Sequence, residues 1–194
     1  MEILFLPLAY LIGSLSCAII VCKLLRLPDP RTEGSRNPGA TNVLRISGKK
    51  TAAVVLLGDA LKGFIPVLLA QHFHFAITWQ GFIGLAAMLG HSYPLFFRFE
   101  GGKGVATFFG VMLAIAWPLG LMLLAIWYIM AKLFHYSSLA ALTVALCAPF
   151  LALLFFRPLV VTPIGLMSCL LIYRHKDNIE RLITRKESKI GAKS

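Results

Sequence analysis

Read from its first residue, the chain alternates long apolar runs with short polar and basic connectors, a spacing far longer than the period of a soluble amphipathic helix. A membrane-crossing helix needs about 20 predominantly apolar residues, with tilt and end effects allowing somewhat fewer. The runs at 3–25, 51–70, 79–97, 104–117, 118–134, 138–156 and 158–174 are the candidates. The fourth is short, and one long helix kinked at Trp117-Pro118 is the alternative. Residues 104 to 134 would then make about 46 Å of helix at about 1.5 Å per residue, against a hydrocarbon core of about 30 Å. A tight reversal at Pro118 is therefore expected. The fold class that follows is all-α: a polytopic transmembrane helical bundle of about seven spans, with residues 1–194 as a single domain.

Charge sets the orientation, because Lys and Arg near span ends favour the cytoplasmic side. With seven spans, one side holds residues 26–50, 98–103, 135–137 and the tail from Arg174, and nearly all of the 19 Lys and Arg residues fall there. The opposite loops offer only Arg157. This places the N-terminus outside and the C-terminus in the cytoplasm. Six spans would move the tail across and split the positive charge, so the bias supports seven independently. The first run lacks a basic n-region and a small-residue cleavage site, and it reads as a spanning helix rather than a signal peptide.

Composition agrees with this picture: 58% hydrophobic and 14% charged, with a mean hydropathy of +0.80, where soluble domains run at about 45–50% apolar and about 25% charged. A net charge of +11 in a soluble protein would raise nucleic acid as a partner. Here the basic residues lie between apolar runs, so topology and anionic headgroups of membrane lipids account for them, and no nucleic acid is expected. Cys17, Cys22, Cys147 and Cys169 all fall inside apolar runs without CxxC spacing and read as small buried hydrophobes. His72 and His74 form an isolated pair in an outer loop, weak support for a metal.

Three polar segments carry candidate chemistry. The connector from Leu27 to Lys50 contains Asp29-Pro-Arg31-Thr-Glu33-Gly34-Ser35-Arg36-Asn37-Pro38-Gly39-Ala40-Thr41-Asn42-Val43-Leu44-Arg45. Glycines permit close backbone approach, N–H groups can face an anion, and Ser35, Asn37, Asn42 and Arg45 add donors, which suits a phosphate; a polar connector with asparagine turns is the alternative. Glu100-Gly101-Gly102-Lys103-Gly104 opens directly into the fourth run, putting unpaired N–H groups, a helix dipole and a mobile ammonium at one place. It lacks P-loop spacing and a preceding strand, so nucleotide hydrolysis is not indicated, and a flexible basic connector remains the other reading.

In the tail, Tyr173-Arg174-His175-Lys176-Asp177-Asn178-Ile179-Glu180-Arg181-Leu182, a continuous helical phase puts His175 and Asn178 on the face of Ile172, Ile179 and Leu182. Two polar groups on a buried face need partners, either in a polar pocket or as a satisfied core histidine with an asparagine cap. Asp59 and Lys62, three apart in the second run, read as an ion pair ahead of a direct catalytic role. His91 precedes Ser92-Tyr93-Pro94, where proline loosens the end of the third run. Gly13-Ser14 in the first run signals close packing or part of a pocket.

With these segments in view, the chain resembles the acyl-phosphate:glycerol-3-phosphate acyltransferases of the bacterial inner membrane, the PlsY-type enzymes. The match runs through Gly-Ser in the first span, DPRTEGSRNPGATNVLR, GDALKG, GHSYPLFFRFEGGKGVAT and YRHKDNIERL. The family usually continues as RLxxGxE; Arg185 stands at that glycine position before Glu187, which bears on the backbone conformation of the tail. The resemblance implies acyl transfer from acyl phosphate to the 1-hydroxyl of sn-glycerol 3-phosphate, giving lysophosphatidic acid and phosphate, with no metal or organic cofactor.

By position it implies Ser35, Arg45, His175 and Asn178 as catalytic residues. Gly34, Asn37, Asn42, Gly101, Gly102, Lys103 and Gly104 would bind substrate or phosphate, and Asp29, Arg31, Asp59, Lys62, His91 and Glu187 would support them. An acyl phosphate is already activated and no Ser-His-Asp triad or HxxxxD motif is present, so direct attack by the glycerol hydroxyl is expected. The proton goes either to a phosphate oxygen of the donor or to His175 or His91. A transporter of phosphorylated solutes would show a midplane site or inverted repeats, and a scaffold would leave GGKG without purpose.

Overall fold

The computed structural model describes residues 2–190; Met1 and the last four positions of the predicted cytoplasmic tail, 191–194, lie outside the described residues. The described chain is helical throughout: α1 (Glu2–Gly13), α2 (Cys17–Leu24), α3 (Ala40–Ser47), α4 (Lys49–His72), α5 (Ile77–Ser92), α6 (Val105–Ile115), α7 (Trp117–Phe134), α8 (Ser137–Ala152), α9 (Pro158–Arg174) and α10 (Lys176–Ile183). Three stretches, Glu2–Leu24, Lys49–His72 and Trp117–Phe134, are long and apolar enough to cross a membrane, and Pro158–Arg174 with Lys176–Ile183 makes a fourth if that bent pair is one span. Val105–Ile115 and Ser137–Ala152 are shorter apolar helices.

Each predicted apolar run is mostly helix, but several end early for visible reasons. The run at 79–97 stops at Ser92, two residues before Pro94, whose ring restricts the residue ahead of it. The run at 104–117 yields only eleven helical residues, about 16 Å of rise. Ala116 adopts an extended conformation (φ −154°, ψ 101°) that closes α6 and opens α7, with Pro118 in the first turn of α7. The chain reverses there: a Cβ on Gly120 would come within 2.8 Å of the Cα of Leu113 on α6.

The first run is broken at Ser14–Ser16. Close crossing of α1 and α5 explains the glycines nearby: a Cβ on Gly13 would strike the Ala87 carbonyl, and one on Gly90 would strike that of Tyr10. Ser14 is buried and its hydroxyl donates to the Tyr10 carbonyl (2.8 Å). Helices α4 and α6 touch in the same way, with Gly110 against the Ala60 carbonyl and Gly63 against that of Thr107. The main core joins α5 to α9 through Met88, Phe108, Met112, Leu119, Leu123, Ile164, Met167 and Leu171. Large apolar side chains such as Leu57, Ile129, Phe150, Leu154 and Leu159 point outward, the arrangement expected where lipid is the solvent.

Two expectations are corrected. Of the four cysteines, all free, only Cys22 is buried and Cys169 is exposed, because its side of α9 faces outward. The tail does not continue the helix of the last run: α9 and α10 meet at a 57° bend at His175, so the helical phase breaks there although His175 and Asn178 are both buried.

Candidate active site

The first loop is held by its own side chains. Arg31 donates from its backbone N–H to Asp29 Oδ1 (2.9 Å), and its guanidinium meets Asp29 Oδ2 at 2.7 Å and Glu100 Oε2 at 3.0 Å, tying this loop to the second. Hydrogen bonds from Arg31 hold the Asp29 carboxyl below the usual carboxylate range. Asn42, on α3, is spent on the loop: its Oδ1 accepts from Ser35 N (2.8 Å) and its Nδ2 donates to the carbonyls of Pro30 (2.8 Å) and Glu33 (3.0 Å). Gly34 has φ +59° and lies against Asn42 Oδ1 with no room for a Cβ, which is why glycine precedes Ser35.

The second loop rests on α5 and α9. Gly102 N donates to the His91 carbonyl (3.1 Å), and Arg174 donates to the carbonyls of Gly101 (2.8 Å) and Gly102 (3.2 Å) while stacking over Tyr93. Gly104, at φ +83°, is the N-cap of α6. Lys103 donates to Asn178 Oδ1 on α10. Burial, assisted by Arg181 and Arg174, pushes the Lys103 ammonium down to about 8 despite Glu187 and Asp177.

At the third segment, His175 Nδ1 is 2.8 Å from the Leu171 carbonyl, which can only accept, so the neutral ring carries its proton at Nδ1 and presents a lone pair at Nε2. Burial, with Lys103 and Arg174 adding to it, lowers His175 to about 4 even though the Leu171 bond opposes the shift. Asn178 Nδ2 and Ser138 Oγ each donate to Glu187 Oε1 (both 2.6 Å), and Arg181 Nε donates to Glu187 Oε2 (2.8 Å). Burial would raise the Glu187 carboxyl, but these bonds prevail and hold it low.

Glu187 reaches Asn178 because α10 ends in a Schellman motif: Lys186 N donates to Arg181 O (2.7 Å), Arg185 N to Leu182 O (3.2 Å), and Arg185 takes the left-handed position at φ +57°. The position that the family pattern gives to glycine is thus one where glycine's freedom is used.

These elements surround a cavity of about 770 Å³. Ser35, Arg45, Lys103, His175 and Asn178 line its polar end together with Gly34, Asn37, Asn42, Gly104, Asp59, His91 and Glu187. Its other end is an apolar groove of Ala52, Ala53 and Leu56 on α4, Phe109 on α6, and Leu124 and Trp127 on α7. The cavity's lining on α4 runs along one face from Lys49 to Asp59, about 15 Å.

A second cavity of about 340 Å³ is lined by Arg36, Tyr93, Gly101, Tyr173, Arg174, Lys176 and Asp177, and Ser35, Arg36, Asn37, Lys103 and Arg181 line both. Gly102, Asp29, Arg31 and Lys62 line neither and lie behind the wall. Arg174, Arg181 and Ser138 were missed in the sequence, because a basic residue at a span end already has a topological explanation and a serine at a helix start is an ordinary cap. Among the described residues, no group of three or more His, Cys, Asp or Glu side chains is placed to hold a metal.

Comparison with known proteins bears directly on this site. The glycerol-3-phosphate acyltransferase family matches residues 3–185. The glycerol-3-phosphate acyltransferase of Methylococcus capsulatus is 54% identical over 194 residues, covering 99% of this chain and 98% of the relative. That of Vibrio vulnificus is 53% identical over 186 residues, covering 96% and 91%. Two crystal structures of PlsY (YgiH), an integral membrane glycerol 3-phosphate acyltransferase, superpose closely. The glycerol 3-phosphate form has a TM-score of 0.93 at 40% identity, covering 98% of this chain and 96% of the other. The lysophosphatidic acid form has a TM-score of 0.90 at 39% identity, covering 98% and 95%. The chain is therefore an all-helical integral membrane protein, and it belongs to the glycerol-3-phosphate acyltransferase family, in its PlsY type.

Proposed function

We propose that this acyltransferase takes its acyl group from acyl phosphate and passes it to the 1-hydroxyl of sn-glycerol 3-phosphate, releasing lysophosphatidic acid and inorganic phosphate. The observation that carries this reading is the meeting of two cavities, one continued by an apolar groove and one walled by basic side chains, along Ser35, Arg36, Asn37, Lys103 and Arg181. A lipid phosphate and a water-soluble phosphate need that combination, because two anions approaching each other in a partly desolvated site require several cations and donors between them. Acceptor and product are further supported by the glycerol 3-phosphate and lysophosphatidic acid forms of PlsY.

The reaction needs no protein nucleophile. The acceptor oxygen attacks the carbonyl carbon, the bond from that carbon to the phosphate oxygen breaks, and the hydroxyl proton leaves on the departing phosphate. His175 orients the hydroxyl through the Nε2 lone pair; a ring lowered to about 4 is a weak place to store a proton at neutral pH. Lys103, Ser35 and Arg45 hold phosphate oxygens, Gly101 and Gly104 bring backbone to the cavity walls while the Gly102 N–H is spent on the His91 carbonyl, and Asn37 lines the shared wall. Asn42, Asp29 and Arg31 build the loop rather than touch the ligand, and Glu187 fixes Asn178. All these groups face the cytoplasm of a bacterial inner membrane, with seven crossings, an external N-terminus and an internal C-terminus.

The deciding experiment supplies purified protein with glycerol 3-phosphate and, in parallel, acyl phosphate, acyl-CoA or acyl carrier protein. Lysophosphatidic acid and stoichiometric phosphate should form from acyl phosphate alone; product from acyl-CoA at comparable rate would refute the donor assignment.

A further inference from the structure

Three ionisable side chains lie buried behind the glycine loop: Asp59 on α4 (2% exposed), Lys62 one turn on (5%) and His91 near the end of α5 (6%). Lys62 Nζ is 2.9 Å from Asp59 Oδ1 and also donates to the Leu15 carbonyl (2.9 Å), in the break between α1 and α2. His91 Nδ1 is 3.6 Å from the same Asp59 oxygen. Neither His91 Nδ1 nor Asp59 Oδ1 has an aligned hydrogen bond, so the imidazole is held by packing rather than by a directed bond at Nδ1.

The other side of that ring is in contact with the loop. A Cβ on Gly102 would collide with His91 Nε2 and stand 2.9 Å from His91 Cε1, while one on Gly101 would collide with the His91 carbonyl. Gly102 N also donates to that carbonyl (3.1 Å). Histidine is therefore the bearing surface on which two consecutive glycines lie, and the next residue is Lys103, whose ammonium reaches Asn178.

We propose that His91, backed by Asp59 and Lys62, is a positioning residue that acts through Gly102 to set the place of Lys103, and takes no part in proton transfer. The cluster joins four separate elements: the break in the first span, α4, α5 and the loop before α6. This explains charged groups kept inside the bundle, where a lone charge costs about 3 kcal/mol. It also gives glycine at 102 a specific reason, the occupied space above the imidazole. The inference rests on reading Lys103 as a ligand of the acceptor phosphate.

A double-mutant cycle tests it, using full-length protein in detergent with acyl phosphate and glycerol 3-phosphate. Gly102→Ala should raise the KM for glycerol 3-phosphate roughly tenfold, because the new methyl must displace the ring. His91→Ala should raise it by a similar factor while leaving the KM for acyl phosphate within about twofold, which a general loss of structure would not do. The double variant should be no worse than His91→Ala within about twofold, since the space is then free; the Pro38 carbonyl, 3.1 Å from the added carbon, needs to yield only slightly. Multiplying effects in the double variant, a neutral Gly102→Ala, or equal losses for both substrates would each overturn the proposal. Should His91→Ala not fold, His91→Asn runs the same cycle, its shorter side chain ending before Gly102. Wild-type protein that makes no lysophosphatidic acid would instead refute the donor and acceptor assignment and leave this inference distinguishable from it.

Discussion

The ammonium of Lys103 and the side-chain oxygen of Asn178, 75 positions apart in the chain, are joined by a hydrogen bond at the wall between the two cavities. Asn178 is an amide used at both ends, since its nitrogen donates to Glu187. Asn178→Asp replaces that donor with a carboxylate facing Glu187. It should lower kcat/KM for glycerol 3-phosphate by roughly 10- to 100-fold, the cost of an unsatisfied buried group. Asn178→Leu should lose about as much, and activity within twofold of wild type in either variant would remove the relay from the site.

Arg45 lines the same cavity from the last turn of α3, and among the described residues no carboxylate lies within ion-pair distance of it. A guanidinium there is available for a phosphate. Arg45→Lys keeps the charge but loses the planar fork, and a fall of about tenfold or more in turnover is expected. Full activity in the lysine variant would mean that charge alone suffices.

Two groups set the pH response. Lys103 loses its proton near 8, so the KM for glycerol 3-phosphate should climb as pH rises through that value, and Lys103→Arg should remove the climb. His175, near 4, is neutral across the working range, so no inflection between 6 and 7 is expected, and His175→Gln should cost far less than the roughly 100- to 10,000-fold of a lost general base. Both groups have folded values below their ordinary ones, so the unfolded chain binds the extra proton in the intervening windows. Stability should rise with pH from about 8 to about 10 for Lys103, and fall as pH drops from about 6.5 towards 4 for His175. Thermal melting across pH in wild type and single variants reads these shifts directly.

Arg185 occupies the left-handed position that ends α10. Arg185→Gly should preserve activity and change stability by less than about 1 kcal/mol, since relief of the left-handed strain offsets the added freedom of the unfolded chain. Arg185→Val cannot adopt that conformation cheaply, so it should swing Glu187 away from Asn178, Ser138 and Arg181 and reduce activity with it. Equal behaviour of the two variants would show that the turn does not matter.

Sidedness is open to a direct measurement. Single cysteines at Lys49, Lys189 and His74 in a background without the four native cysteines should separate in sealed right-side-out vesicles. The first two should be protected from an impermeant thiol reagent and the third labelled. Labelling of Lys49 or Lys189 at the rate of His74 would reverse the proposed orientation.

Much of the architecture was legible in the apolar runs, because burial in lipid forces contiguous hydrophobic sequence, and Pro118 was a usable sign that α6 and α7 are separate helices. The lengths were only partly so: Pro94 announces the loosened end of α5, whereas Ala116 ends α6 through a backbone conformation that hydropathy does not register. The cluster of Ser35, Arg45, Lys103, His175 and Asn178 around one cavity followed from placing their loops on one side. Asn42 was read as a ligand for phosphate, whereas its amide is saturated by Ser35, Pro30 and Glu33; donors look alike in a sequence whether or not they are already engaged. Arg174 went unnoticed because its charge already had a reason to be there. The bend at His175 leaves no compositional trace, and a helical wheel drawn through it gave the right burial from the wrong geometry.

The wall shared by the two cavities bears on the order of events during turnover. Each compartment has its own lining, so neither substrate has to wait behind the other, and binding can begin with either. Direct transfer then requires a ternary complex, whose initial-rate plots intersect instead of running parallel as they would for an acylated enzyme. On the proposed reaction, product departure should follow the same division, the new ester leaving along the apolar lining on α4 and the small anion on the side of Arg174 and Lys176. Inorganic phosphate should then compete with glycerol 3-phosphate and leave the apparent affinity for the acyl donor nearly unchanged.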